Sequence, residues 1–162
     1  MLFHIESSFE ETRNTVSTQR VAVVDPFSTG AMVAHLLSAR GIDVVAVYSA
    51  SMEQLGNLQN LVPKGITLNF VDVVAFEGIE VMAEKLKNVS EIVPGTETGV
   101  ELADKLSEFL KLRTNGTALS EARRNKYIMG ETVRSAGVRA VRQLKSSVWG
   151  EIEAWSLRWQ GL

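Results

Sequence analysis

The feature that most constrains the fold is a pair of predicted strands, residues 21–24 (VAVV) and 43–48 (DVVAVY, apolar from Val44), with helical spacing between them. Runs without polar alternation are typical of strands buried on both faces, and such strands occur in parallel sheets. Residues 31–40 carry apolar side chains at helical spacing and are followed by Gly41, a residue that commonly ends helices. The sequence therefore predicts a β-α-β unit within an α/β fold, an open parallel sheet with helices on both faces.

The same alternation continues along the chain. It predicts strands over residues 67–74 and 91–93, and helices over residues 51–61, 76–87 and 96–110. Thr96 or Thr98 is the expected cap of the last of these helices. After a polar linker at residues 113–117, the pattern predicts a helix over 120–137, a strand over 138–144, and a final helix capped by Ser147.

Composition narrows the classes of function. The chain has 17 Lys and Arg against 19 Asp and Glu, so no overall positive charge favours nucleic acid or anionic lipid. It contains no cysteine, which excludes thiolate metal sites and cysteine nucleophiles. No apolar run approaches the roughly 18 residues of a membrane helix. We therefore expect a cytoplasmic protein that contacts neither nucleic acid nor membrane, with residues 1–19 as a flexible leader.

Charge is nevertheless divided unevenly. Residues 1–119 hold nine basic and fifteen acidic side chains, whereas residues 120–162 hold eight basic and four acidic ones. Two interpretations stay open for the basic part: a solvated helix face, or a lobe that meets phosphate.

Candidate site residues lie where predicted strands end. Ser28, Thr29 and Gly30 follow the first strand, and Glu97 follows the fourth. Ligands of open α/β sheets bind at this carboxyl edge, and helix N-termini there attract anions. A structural interpretation competes with this one: Ser28 or Thr29 caps a helix, Asp25 makes a turn, and Glu97 interacts with a helix dipole.

The three tryptophans lie near the end of the chain. Val148, Ile152, Trp155 and Trp159 follow helical spacing along one face. This face either packs on the chain's own core or takes a partner, which includes self-association through Trp155 and Trp159.

Four segments together resemble the ATP-grasp carboxylate–amine ligases. They are residues 93–103 (VPGTETGVELA), 112–116 (LRTNG), 124–129 (RNKYIM) and 136–138 (AGV). In that family a strand leads into a helix that begins with glutamate and glycine, the next helix carries a lysine and a methionine three residues apart, and AGV leads into the ATP-grasp lobe. The upstream β-α-β unit resembles the family's Rossmann-like pre-ATP-grasp domain.

The resemblance implies a domain division and a set of ligands. Residues 20–116 would form the pre-ATP-grasp domain, and residues 117–162 the incomplete start of the ATP-grasp domain, its opening helix, strand and helix. ATP and magnesium would be the cofactors, and a small carboxylate and an amine the substrates. Lys126 would contact the nucleotide phosphates, and Ser28, Thr29, Gly30 and Glu97 would belong to the substrate cleft. No catalytic residue and no metal ligand is implied within the chain.

The resemblance also implies an expectation about activity. Family members continue into a strand with a second ATP lysine, a glycine-rich phosphate loop and magnesium ligands, all of which this sequence lacks. We therefore expect the 162 residues to be inactive alone, as a truncated chain or one that works with a companion chain. The alternative is a self-contained α/β module that binds a ligand or a partner without catalysis.

Overall fold

A computed structural model of the chain describes residues 19–159. It contains four strands and seven α-helices in this range. The strands are β1 (Arg20–Val24), β2 (Asp43–Val47), β3 (Asp72–Val74) and β4 (Glu91–Pro94). The helices are α1 (Thr29–Ser38), α2 (Met52–Leu55), α3 (Ile79–Lys85), α4 (Val100–Phe109), α5 (Ser120–Arg124), α6 (Lys126–Ser135) and α7 (Trp149–Leu157). The predicted leader falls almost wholly outside the described residues.

The four strands form one parallel sheet in the order β3-β2-β1-β4. Alternate residues of β1 supply the two faces of the sheet. Ala22 and Val24 pack with side chains from α3 and α4, whereas Val23 packs with Ala34 of α1. The predicted open parallel sheet with helices on both faces is therefore confirmed.

The third strand is shorter than predicted. Pairing covers only Asp72–Val74, and Leu68 and Phe70 of the preceding segment pack against the cluster that includes Ala34 of α1. The helix predicted over 51–61 is found as α2 followed by a 3₁₀ turn at Gly56–Asn60.

Three predictions for the carboxyl-terminal part are wrong. The helix predicted over 120–137 is broken at Asn125, whose extended backbone separates α5 from α6 and whose side chain accepts from the N–H groups of Tyr127 and Ile128. An asparagine at a cap outweighs continued helical spacing because it satisfies N–H groups that a helix start leaves unpaired. Ser147 does not cap α7, because Val148 holds the capping position without a side-chain bond.

The third wrong prediction is the strand over residues 138–144. Residues 138–146 form no strand in the described structure, where they contact helix α6 rather than another strand. Arg134 donates to the carbonyl of Val141 at 2.8 Å, and Gln143 donates to the carbonyl of Tyr127 at 2.6 Å. Alternation alone cannot make a strand without a neighbour to complete its ladder of hydrogen bonds.

No helix within residues 19–159 combines the length and the apolar character needed to cross a bilayer.

Candidate functional site

The carboxyl edge of the sheet is built around a buried carboxylate, Asp25, directly after β1. Its N–H donates to the carbonyl of Val47 at 2.7 Å, and its own carbonyl accepts from Phe27 at 2.7 Å, so the predicted turn is confirmed. Asp25 has φ 53° and Ser28 has φ 47°, in a region that side-chain-bearing residues seldom adopt. Strained backbone of this kind is concentrated at functional sites.

The Asp25 carboxylate accepts three hydrogen bonds from two other loops of this edge. Ser49 donates through its N–H to Oδ1 at 2.9 Å and through Oγ to Oδ2 at 2.6 Å. Thr98 donates through Oγ1 to Oδ2 at 2.5 Å, and itself lies 2.9 Å from the hydroxyl of Thr96. Asp25 therefore ties together the ends of β1, β2 and β4. Neither threonine caps the following helix as expected, because both hydroxyls face this network.

The loops after β1 and β4 also touch directly. A Cβ placed on Gly30 would lie 2.5 Å from the Cα of Gly95, and a Cβ on Gly95 would lie 2.5 Å from the carbonyl oxygen of Asp25. Real Cβ atoms do not approach backbone so closely, so glycine at both positions is what allows this contact.

The predicted cleft residues all lie on these two loops. Ser28 and Thr29 are exposed at the start of α1, Gly30 is buried against Gly95, and Glu97 is exposed at the start of a 3₁₀ turn that leads into α4. Ser28 occupies the capping position of α1 but makes no side-chain cap, so its interpretation as a structural cap is wrong. The cleft role of the four residues stays a prediction.

A cleft of about 390 Å³ opens elsewhere on the same edge, among the loops after β2, β3 and β4. We call it the β2–β4 cleft. It is lined by Ser49, Phe76, Glu77, Gly78, Ile79, Thr98, Glu101, Leu102 and Lys105. None of the four predicted cleft residues lines it. Sequence reasoning missed this set, although Ser49 and Thr98 each follow a strand and carry the hydroxyl groups that such an edge brings together.

Charges around the cleft are largely paired. Lys105 Nζ lies 2.7 Å from Glu101, and the hydrogen bond from Lys105 lowers the pKa of the Glu101 carboxyl. Lys85 Nζ lies 2.7 Å from Glu77. Beside the network, the Tyr48 ring stacks on Phe27 with centroids 5.8 Å apart, and burial, followed by the charge of Asp25, raises the pKa of its phenol. Tyr48 therefore stays protonated and neutral at physiological pH.

A second buried carboxylate, Asp104 on α4, holds α5 against the sheet domain. Its Oδ2 accepts from Ser120 Oγ and from Arg123 Nη2, both at 2.6 Å. Arg123 Nη2 also donates to the carbonyl of Gly116 at 2.6 Å. This cluster, which we call the α4–α5 latch, fixes the start of the basic part of the chain.

Lys126 lies just beyond the latch, exposed at the first residue of α6. Its nucleotide contact stays a prediction. Three arginines of the basic part pair with carboxylates: Arg123 with Asp104, Arg124 with Glu101, and Arg134 with Glu131. Arg142 stacks instead 3.9 Å from the ring centroid of Trp159. Part of the basic excess is thus structural, whereas Lys126, Arg139, Lys145 and Arg158 are exposed.

His35, isolated in the sequence, has its Nδ1 2.9 Å from the carbonyl of Thr67. Within residues 19–159, no three carboxylate or imidazole side chains converge in a way that would hold a metal ion. These residues alone therefore do not fit a magnesium ion, and no chemical step through one follows from them.

Comparison with known proteins adds to this geometry. No family model matches the chain. Over 138 residues it is 28% identical to dapdiamide A synthase of Enterobacter agglomerans, a match that covers 83% of this chain and 32% of that enzyme. The chain thus spans about a third of the length of the curated relative it matches.

Two solved structures share the fold. One is an L-amino acid ligase from Bacillus licheniformis, with a TM-score of 0.53 and 12% identity; the match covers 87% of this chain and 42% of that one. The other is a phosphoribosylglycinamide synthetase from Anaerococcus prevotii, with a TM-score of 0.54 and 14% identity; the match covers 87% of this chain and 35% of that one. The sequence match and the shared fold confirm the resemblance to the ATP-grasp carboxylate–amine ligases and the parallel α/β fold that this resemblance implies.

Proposed function

We propose that this chain is the substrate-binding α/β part of an ATP-dependent ligase that joins a small carboxylate to an amine. The observation that carries the proposal is the match to dapdiamide A synthase across 83% of the chain. The cleft beside a buried carboxylate at the carboxyl edge supports it, since ligands of such sheets bind there. In the proposed reaction ATP phosphorylates the carboxylate, and the amine displaces phosphate from the acyl phosphate to form an amide.

The proposal assigns parts of the reaction to parts of the chain. Residues 20–116 form the pre-ATP-grasp domain, where Ser28, Thr29, Gly30 and Glu97 belong to the substrate cleft. Residues 117–162 begin the ATP-grasp domain, where Lys126 contacts nucleotide phosphates. A lysine ammonium on a flexible stem suits phosphate oxygens. The exposure of Lys126 at the start of α6 supports this assignment.

The proposal also holds that these 162 residues are inactive alone. Phosphoryl transfer depends on positioned metal and positive charge, and residues 19–159 contain no metal-binding cluster. The remaining groups come from residues outside this sequence, whether on the same polypeptide or on a companion chain in the cytoplasm.

Self-association through Trp155 and Trp159 is the third element of the proposal. The two rings contact each other at 6.2 Å between centroids and are only partly buried. Size-exclusion chromatography of the wild type against the Trp155→Ser, Trp159→Ser double variant tests this point, because loss of the rings should shift an associated species to the monomer.

A second candidate function is a self-contained binding module without catalysis. It is favoured by the position of the core, since all the buried apolar residues apart from Ala122 lie between Val21 and Leu106 in the described part of the chain. Such a module would bind its ligand without any further domain.

One experiment separates these functions. The chain alone, with ATP, Mg²⁺ and amino acids, should release no ADP. A chimera in which this chain replaces the 138 aligned residues of dapdiamide A synthase should release ADP and form an amide. In the chimera, Lys126→Ala should weaken ATP use, whereas Lys145→Ala, also at an exposed lysine, should not. A chimera with a folded far-UV circular dichroism spectrum but no ATP use would favour the binding module.

A further inference from the structure

We propose that the β2–β4 cleft binds a primary ammonium group that carries an aliphatic or aromatic substituent. The binding follows from the geometry of the cleft. Its identification as the site of the amine substrate rests on the proposed function.

The first argument is the direction of the hydroxyl groups. Ser49 and Thr98 each have one hydroxyl proton, and both protons are donated to Asp25 Oδ2, at 2.6 and 2.5 Å. Only oxygen lone pairs therefore remain to face the cleft; with its proton on Asp25, Thr98 accepts from Thr96 Oγ1 at 2.9 Å and keeps one further lone pair. The cleft thus offers acceptors at these two positions, and a ligand that satisfies them must donate hydrogen bonds.

The second argument is an uncompensated charge behind those hydroxyls. Asp25 is fully buried. In the described structure its carboxylate accepts from three neutral donors, the N–H and hydroxyl of Ser49 and the hydroxyl of Thr98. A buried carboxylate without a cation is costly, whereas a nearby positive charge stabilises it. An ammonium bound to the two hydroxyl oxygens would supply that charge one hydrogen bond away.

The other charged groups of the lining do not reverse this preference. Lys105 is the single cationic side chain among the lining residues, and it is paired with Glu101 at 2.7 Å. Glu77 is paired with Lys85 at 2.7 Å. Because these pairs are internally balanced, Asp25 decides the sign of the charge that the cleft prefers, and a carboxylate ligand would meet only acceptors at Ser49 and Thr98.

The third argument is the apolar part of the lining. Phe76, Ile79 and Leu102 supply apolar side chains to the lining of the cleft. Phe76 is 52% exposed although it is a large aromatic residue. A volume of about 390 Å³ lies within the range of roughly 300–1,000 Å³ typical of small-molecule sites. The cleft therefore suits an ammonium with a compact apolar substituent.

The test uses the full chain and two probes of similar size, 3-methylbutylamine and 4-methylpentanoate. In ¹H–¹⁵N spectra the amine should shift the amides of Ser49, Ile79 and Thr98 with saturation, and the acid should not. Thr98→Val and Ser49→Ala should each weaken amine binding by about thirtyfold, the equivalent of one hydrogen bond to a charged group. Thr67→Val, at an exposed threonine outside the cleft, should leave binding unchanged.

Phe76→Ala is the variant that keeps the test decisive if the Asp25 network is needed for folding. Its ring is half exposed, so the fold should persist while amine binding weakens. Equal binding of acid and amine, or unchanged amine binding in Thr98→Val or Phe76→Ala, would overturn the inference.

The two proposals fail separately. If the chimera forms an amide but the chain shows no preference for the amine, the cleft assignment is wrong and the ligase function stands. If the chain binds the amine but the folded chimera uses no ATP, the cleft assignment stands and the ligase function is wrong.

Discussion

At the scale of single residues, the contact between Gly30 and Gly95 determines how closely the loops after β1 and β4 approach. Gly30 lies within α1, so its backbone conformation is one that alanine adopts freely. The restriction at this position is therefore steric: an added Cβ would lie 2.5 Å from Gly95 Cα and 2.7 Å from its carbonyl carbon and oxygen. Packing therefore explains why position 30 is glycine, independently of the predicted role of Gly30 in the substrate cleft.

We expect Gly30→Ala to lower the free energy of unfolding by about 1–3 kcal/mol, the usual cost of overpacking, because the obstacle is backbone. Urea unfolding followed by circular dichroism measures this change. Gly150→Ala is the matched control. Nothing lies within 4 Å of a Cβ there, and alanine should stabilise α7 by about 0.5–1 kcal/mol. A Gly30→Ala variant as stable as the wild type would contradict the close contact.

At the scale of secondary-structure elements, the α4–α5 latch joins a short helix to the sheet domain. Helix α5 has five residues, too few to be stable by itself. Its attachment depends on Ser120 and Arg123, which share one carboxylate oxygen of the buried Asp104. Besides the latch, α5 has Ser120 and Ala122 as its buried residues and one ion pair, at 3.9 Å between Arg124 and Glu101 of α4.

Arg123→Met should therefore open α5 locally without unfolding the sheet. Loss of a hydrogen bond to a charged group costs about 2 kcal/mol, or roughly thirtyfold in an opening equilibrium. Hydrogen exchange of the Arg123 and Asn125 amides, which donate to Leu119 and Glu121, should accelerate by about that factor, while the β1 amides stay protected. Glu121→Gln, at an exposed position on the same helix, serves as the control. Equal exchange in wild type and Arg123→Met would show that other contacts hold α5.

At the scale of the whole molecule, the sheet domain and the carboxyl-terminal part with α6 and α7 differ in how many buried residues they contain. The sheet and its helices contain the hydrophobic core, whereas α6 and α7 contain no buried residue. All three tryptophans lie in the second part, at positions 149, 155 and 159, and Trp149 is 71% exposed. Tryptophan fluorescence therefore reports on the weakly packed part alone.

We expect the two parts to unfold separately in urea. The fluorescence transition should have its midpoint at a lower urea concentration than the far-UV circular dichroism transition, because α6 and α7 lack buried apolar area to stabilise them. Addition of 3-methylbutylamine should raise the second midpoint and leave the first unchanged if the amine binds the β2–β4 cleft. Coincident transitions would instead indicate a single cooperative unit.

Much of the fold could be predicted from the sequence. The apolar runs at 21–24 and 44–48 have no polar alternation, and this local property is enough to indicate buried parallel strands. The positions where strands end placed Ser28 to Gly30 and Glu97 at the carboxyl edge of the sheet. Helix α4 was predicted nearly to its end because its apolar stripe is regular.

Only the tertiary structure decided which groups of that edge meet. The bond from Thr98 to Asp25 joins residues 73 positions apart, and it exists because β4 lies beside β1 in the strand order β3-β2-β1-β4. The sequence around Thr98 or Asp25 does not indicate that β4 lies beside β1. The β2–β4 cleft and the direction of its hydroxyl protons were therefore not predictable. The absent strand at 138–144 has the same cause, because a strand is a property of two segments whereas alternation is a property of one.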